Sequence, residues 1–164
     1  MKGKITALAA TGILAAAAVV VTKWEGYEPV PYVDPVGILT VCYGTTQAVD
    51  RRAYSQTECE AFLQRDLAEA RKTVRACITA PMLPHQEAAL ISFTYNVGPG
   101  RAGVRDGLCW LRNGNQPRLR VKANAGDWVG ACAELSNWTR AGDKKLKGLE
   151  RRRADERALC EGRL

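Results

Sequence analysis

Residues 5 to 22 form an uncharged run that continues without a proline into Trp24 and Glu25, after which Gly26, Pro29, Pro31, Pro35 and Gly37 interrupt the chain. The run is compatible with one helix, and the prolines behind it cannot extend that helix. Glu25 therefore ends the first element, whereas Asp34 belongs to a different one. Alternation through Ile38, Leu39, Thr40, Val41 and Tyr43 predicts a short strand carrying the Thr40 hydroxyl close to Asp34. Two carboxyls on separate elements facing one space can divide the labour of acid chemistry. One is held protonated to donate to a leaving oxygen, and the other is ionised to position water or stabilise a sugar cation. Glycoside hydrolysis uses this arrangement.

The apolar run also bears on the compartment. At roughly 1.5 Å per residue a helix over residues 5 to 22 is about 27 Å long, close to the ~30 Å of a bilayer core. Lys2 and Lys4 precede it, which favours an orientation with the N-terminus inside and the rest of the chain on the outer side of the cytoplasmic membrane. Ala is the commonest residue of the run, with Thr6, Thr11, Gly12 and Thr22 beside it, so as an anchor it is marginal. A cleaved signal peptide has the same parts. Cleavage after Ala15 to Ala18, however, would remove most of the helix that carries Glu25.

With 164 residues and 46% hydrophobic content, the chain can bury one sizeable core. The formal charge is +7, and the C-terminal half concentrates Arg118, Arg120, Lys122, Lys144, Lys145, Lys147 and Arg151 to Arg153. Such a surface favours a polyanion: nucleic acid, an anionic membrane face or a bacterial wall. No zinc-finger spacing, helix-turn-helix signal or aromatic RNA-binding motif accompanies these bases, which argues against nucleic acid. The six cysteines form no C-x-x-C pair and His85 is the single histidine, so they read as disulfides of an extracytoplasmic protein, and no metal or cofactor is expected.

Further on, Ser55 with Glu58 has the form of a capping box, opening a helix that continues to about Cys77. A second, apolar helix is expected over 85–95, stopped by the turn at Asn96, Val97 and Gly98. Trp110, on the segment 106–117, is expected in the core. Asp127 is placed to cap a helix through Leu135, a turn follows at 141–143, and the last helix is expected over 146–160.

Glu25-Gly26, Tyr32-Val33-Asp34, Gly37-Ile38-Leu39-Thr40 and Cys42-Tyr43-Gly44 together resemble the catalytic signature of the phage-type lysozymes, glycoside hydrolase family 24. Cys42 stands where many members have Gly. The resemblance resumes at Ser92 to Gly98 and from Trp138 to Glu156. It implies an α+β, mainly α, two-lobed lysozyme-like fold with a small antiparallel sheet. Residues 1–23 would form a membrane-targeting, signal-anchor-release helix, and residues 24–164 the catalytic domain. The implied reaction is hydrolysis of the β-1,4 bond between N-acetylmuramic acid and N-acetylglucosamine in peptidoglycan, causing host lysis. Glu25 would be the general acid, Asp34 the water-activating carboxylate and Thr40 its helper. Tyr32, Asn96 and Gly98 would contact the glycan, and Arg152 or Arg153 would orient Glu25. Similar proteins imply the pairs Cys42 with Cys59 and Cys132 with Cys160, leaving Cys77 with Cys109. The expected protein is a monomer, held in the host inner membrane facing the periplasm through residues 1–22 and then released. A lytic transglycosylase, or a non-catalytic wall-binding protein on the same scaffold, are the rival readings.

Overall fold

The computed structural model describes residues 2–34 and 37–164, with side chains from residue 12 onward. Helix α1 spans Lys2–Glu25, and the hairpin β1 (Glu28–Val33) and β2 (Leu39–Cys42) follows. Next come α2 (Gln56–Cys77), α3 (Pro84–Val97), α4 (Arg118–Asn124) and α5 (Trp128–Glu134). A 3-10 turn at Leu135–Asn137, a second hairpin of β3 (Arg140–Ala141) and β4 (Lys144–Lys145), and α6 (Lys147–Cys160) complete the chain. The fold is mainly helical with small antiparallel sheets.

Local chemistry sets the ends of these elements. Ser55 accepts from the Glu58 backbone N–H while the Glu58 side chain reaches back to the Ser55 N–H, a reciprocal cap that starts α2. Asp127 accepts from the Gly130 N–H and starts α5. α1 stops at Gly26, whose φ of 73° a residue with a Cβ adopts only under strain.

The core gathers α1, α2, α3 and α6. Ala17 and Val21 of α1 are fully buried with Leu67 and Val74 of α2 and Ala88, Ile91 and Phe93 of α3. The run predicted as a membrane-directed segment thus places its C-terminal half inside the protein, one face buried through Ile13, Ala17, Val20 and Val21 and the other exposed at Gly12, Ala15 and Val19. Among the described residues, no helix is long and apolar enough to cross a membrane.

The disulfides are Cys42–Cys59, Cys77–Cys109 and Cys132–Cys160. They join β2 to α2, the end of α2 to the loop behind α3, and α5 to the end of α6.

One expectation needs correction and another is extended. Trp110 is 42% exposed, not in the core: Leu108 fills the buried place, and Arg120 lies over the indole ring while donating to the Cys77 and Cys109 carbonyls. The backbone explains this, because the Gly107 N–H bonds the Trp110 carbonyl in a tight loop packed against Gly100 and leaves no inward path for the ring. The turn at 141–143 is also more than a turn, since Arg140 pairs with Lys145 and Ala141 with Lys144.

Glu87 of α3 is buried and receives Arg71 Nε at 2.7 Å and Arg75 Nε at 2.6 Å, joining α3 to α2. Burial alone would push its carboxyl up, but the hydrogen bonds from Arg75 and Arg71 outweigh it and hold it below the ordinary carboxylate range. A depressed value means that the stabilisation is present above the unfolded-state pKa and is lost as pH falls through the folded one. Glu87→Gln should therefore cost about 2 kcal/mol at neutral pH, a figure already discounted for the exposure of Arg75. Urea unfolding of both proteins should show the gap shrinking as pH falls below about 4.

Candidate active site

Glu25 is the last residue of α1, and the end of that helix is clamped against α6. Trp24 Nε1 donates to Asp155 Oδ2 at 2.8 Å, and Lys23 Nζ lies 2.7 Å from the same oxygen. Beside them Arg152 Nη1 donates to Glu25 Oε1 at 2.5 Å. The other carboxylate oxygen, Oε2, faces Gly44, where an added Cβ would stand 3.5 Å away. Gly44 has a φ of 93°, so the loop comes close to the acid without crowding it.

Asp34 follows β1 and organises the turn toward β2. Its N–H donates to the Ile38 carbonyl at 2.9 Å, and its Oδ1 accepts from the Ile38 N–H at 2.8 Å. Thr40 is nearly buried, and its hydroxyl donates to the same Ile38 carbonyl at 3.1 Å. One carbonyl therefore ties Asp34 and Thr40 together. Tyr32, half exposed, stands opposite Thr40 in the antiparallel register.

The loop after β2 is pinned to the helices. Tyr95 of α3 donates its hydroxyl to the Tyr43 carbonyl at 2.7 Å, and Thr45 donates to Asp66 of α2 at 2.7 Å. Burial, reinforced by Asp66 and Glu25, pushes the Tyr95 phenol up, so it stays a neutral donor. A cleft of about 270 Å³ opens here, lined by Gly44, Thr46, Asp66, Thr73, Thr94 and Pro99. The buried Thr94 hydroxyl has no hydrogen-bond partner among the described residues.

At the end of α3, Asn96 Oδ1 accepts from Arg153. Gly98 caps the helix at a φ of 75°, and a Cβ there would stand 3.2 Å from the Arg105 guanidinium. Arg153 is fully buried, also contacts Glu156 at 2.5 Å, and lies over the Phe93 ring. Burial pushes its guanidinium down to about 10 against the opposing pull of Glu156, which leaves it charged at neutral pH.

Of the two arginines predicted to orient Glu25, Arg152 makes the contact, whereas Arg153 reaches Asn96. Arg151 is exposed. Sequence reasoning gave no site role to Ser92 and Thr94, hydroxyls inside an otherwise apolar helix, or to Glu156. Their signal was polarity at buried positions of α3, and an acid three and four residues beyond Arg153 and Arg152. Among the described residues, no cluster of three His, Cys, Asp or Glu could hold a metal ion.

Known proteins resemble the chain in sequence and in fold. A SAR-endolysin of Bacteriophage PS119 is 36% identical over 168 aligned residues, spanning 98% of this chain and 93% of that protein. A SAR-endolysin of Enterobacteria phage P21 is 34% identical, spanning 98% and 94%. The crystal structure of the active form of the P1 phage endolysin Lyz has the same fold, with a TM-score of 0.79 over 95% of this chain and 93% of that one at 22% identity. The sequence pattern of the phage lysozymes matches residues 22–156, and the chain belongs to the phage lysozyme family.

Proposed function

We propose that this muramidase-type endolysin cleaves the β-1,4 bond between N-acetylmuramic acid and N-acetylglucosamine in peptidoglycan, with Glu25, Asp34 and Thr40 as its catalytic residues. The observation that carries this reading is the position of Glu25: a carboxyl at a helix end, one oxygen held by the buried Arg152 and the other facing the glycine loop of a cleft. Glu25 gives its proton to the glycosidic oxygen as the bond to the anomeric carbon breaks. Asp34, fixed by its turn and joined to Thr40 through Ile38, positions a water for attack on the opposite face of the sugar. Tyr32, Asn96 and Gly98 contact the glycan along this path, and the enzyme acts as a monomer.

Mass spectrometry of digested peptidoglycan tests the chemistry. Hydrolysis adds one water and leaves hydrated reducing ends. Anhydro ends would identify a lytic transglycosylase instead, and no new ends would identify a wall-binding protein.

For the compartment, α1 inserts into the host inner membrane through residues 1–22 and holds the chain facing the periplasm until it is released there. The names of the relatives support this reading, as does the docking of α1 in the core, which gives the small-residue helix a place in water.

A further inference from the structure

Glu156 lies on α6, is fully buried, and is not among the residues lining the cleft. Its Oε1 accepts from Ser92 Oγ at 2.9 Å and from Arg152 Nε at 3.1 Å, and its Oε2 accepts from Arg153 Nη1 at 2.5 Å. The other nitrogens of these arginines reach elsewhere, except the buried Arg153 Nε, which has no hydrogen-bond partner among the described residues. Arg152 Nη1 reaches Glu25, Arg152 Nη2 reaches the Ser92 carbonyl, and Arg153 Nη2 reaches Asn96. One buried carboxylate thus holds two forked donors, one aimed at the end of α1 and the other at the end of α3.

We infer that Glu156 is a positioning residue for the reaction, setting Glu25 through Arg152 and the glycan-contacting turn through Arg153. This rests on the reading of Glu25 as the general acid. An arginine fork is planar and its donors are fixed in direction, so anchoring Nε fixes where Nη1 points. Without the anchor, Arg152 keeps its charge but loses its aim, and a small misplacement of a catalytic group is expensive in rate. The two arms predict separate kinetic consequences. Loss of the Arg152 arm lowers kcat, and loss of the Arg153 arm raises KM.

The test uses the full chain and soluble oligosaccharides derived from peptidoglycan glycan strands, with rates normalised to folded protein by near-UV circular dichroism. Glu156→Gln should lower kcat per folded molecule by at least tenfold and raise KM about threefold. Adding Arg152→Lys to that variant should lower kcat by less than a further twofold, since Glu156 acts through Arg152. A variant that merely unfolds more readily, with kcat and KM per folded molecule unchanged, overturns the inference, and so do losses that multiply in the double variant. If Glu156→Gln does not fold, Ser92→Ala decides, because it removes one hydrogen bond to the same Oε1. A threefold or greater fall in kcat supports the inference and a wild-type kcat overturns it. Glu25→Gln is measured alongside: wild-type activity there refutes the acid assignment itself, whereas an inactive Glu25→Gln beside an unaffected Glu156→Gln refutes only the positioning.

Discussion

Glu25→Gln should lower turnover on peptidoglycan by about 10² or more, the usual scale for removing a general acid, while the protein stays folded and still binds walls. The amide preserves size and can still face Arg152, so the loss reports the proton and not the packing. Glu25 is also only partly buried, its side chain 22% accessible, so removing its charge leaves Arg152 with Glu156 as a remaining partner. Thermal unfolding should therefore shift by only a few degrees. Turbidity loss of a cell-wall suspension gives the rate. A variant that clears walls at near wild-type speed refutes the assignment.

Gly12→Leu should slow release from the inner membrane roughly tenfold and delay lysis by a corresponding interval, without changing the activity of the soluble protein. Gly12 lies on the exposed face of α1, and a Cβ built there meets nothing within 4 Å. The docked helix therefore tolerates a larger side chain. In lipid the same substitution adds apolar surface worth about 1.5 to 3 kcal/mol, while the helix penalty of glycine is relieved in both states and cancels. The lower figure alone is about a factor of ten in the partition. Fractionation of expressing cells over time, followed by assays on both fractions, reads the effect. If the variant remains membrane-bound yet degrades peptidoglycan as fast as released wild type, tethering places no restraint on the active site.

The contrast between α1 and the rest of the site shows what a sequence can carry. The end of α1 at Gly26, the cap at Ser55 and the cap at Asp127 are local events, decided by residues within one turn, and all three stood in the sequence. The place of Glu25 at the end of α1, and of Asp34 and Thr40 beside and on one hairpin, was legible for the same reason. Ser92, Asn96, Arg152, Arg153 and Glu156 form their network only when α3 and α6 pack, and nothing within either segment states which arginine reaches Glu25. Trp110 was misplaced because a large aromatic ring is more often core, whereas a glycine-packed loop and Arg120 kept the ring at the surface. The β3–β4 hairpin escaped because Arg140, Ala141, Lys144 and Lys145 show no apolar alternation and are exposed. The pairing Cys77–Cys109 depends on how the loop behind α3 returns to the end of α2, which is a property of the fold.

Water attacking opposite the departing oxygen inverts the anomeric centre, so the stereochemistry of the first product tests the roles of Glu25 and Asp34 together. Proton NMR of a β-linked glycan-strand oligosaccharide, recorded in the first minutes after enzyme is added and before mutarotation, gives that stereochemistry. The account predicts the α anomer as the initial reducing end, converting later to the equilibrium mixture. Initial appearance of the β anomer would mean two displacements through a covalent intermediate or an equivalent retaining route, and would contradict direct attack by a water held at Asp34 and Thr40.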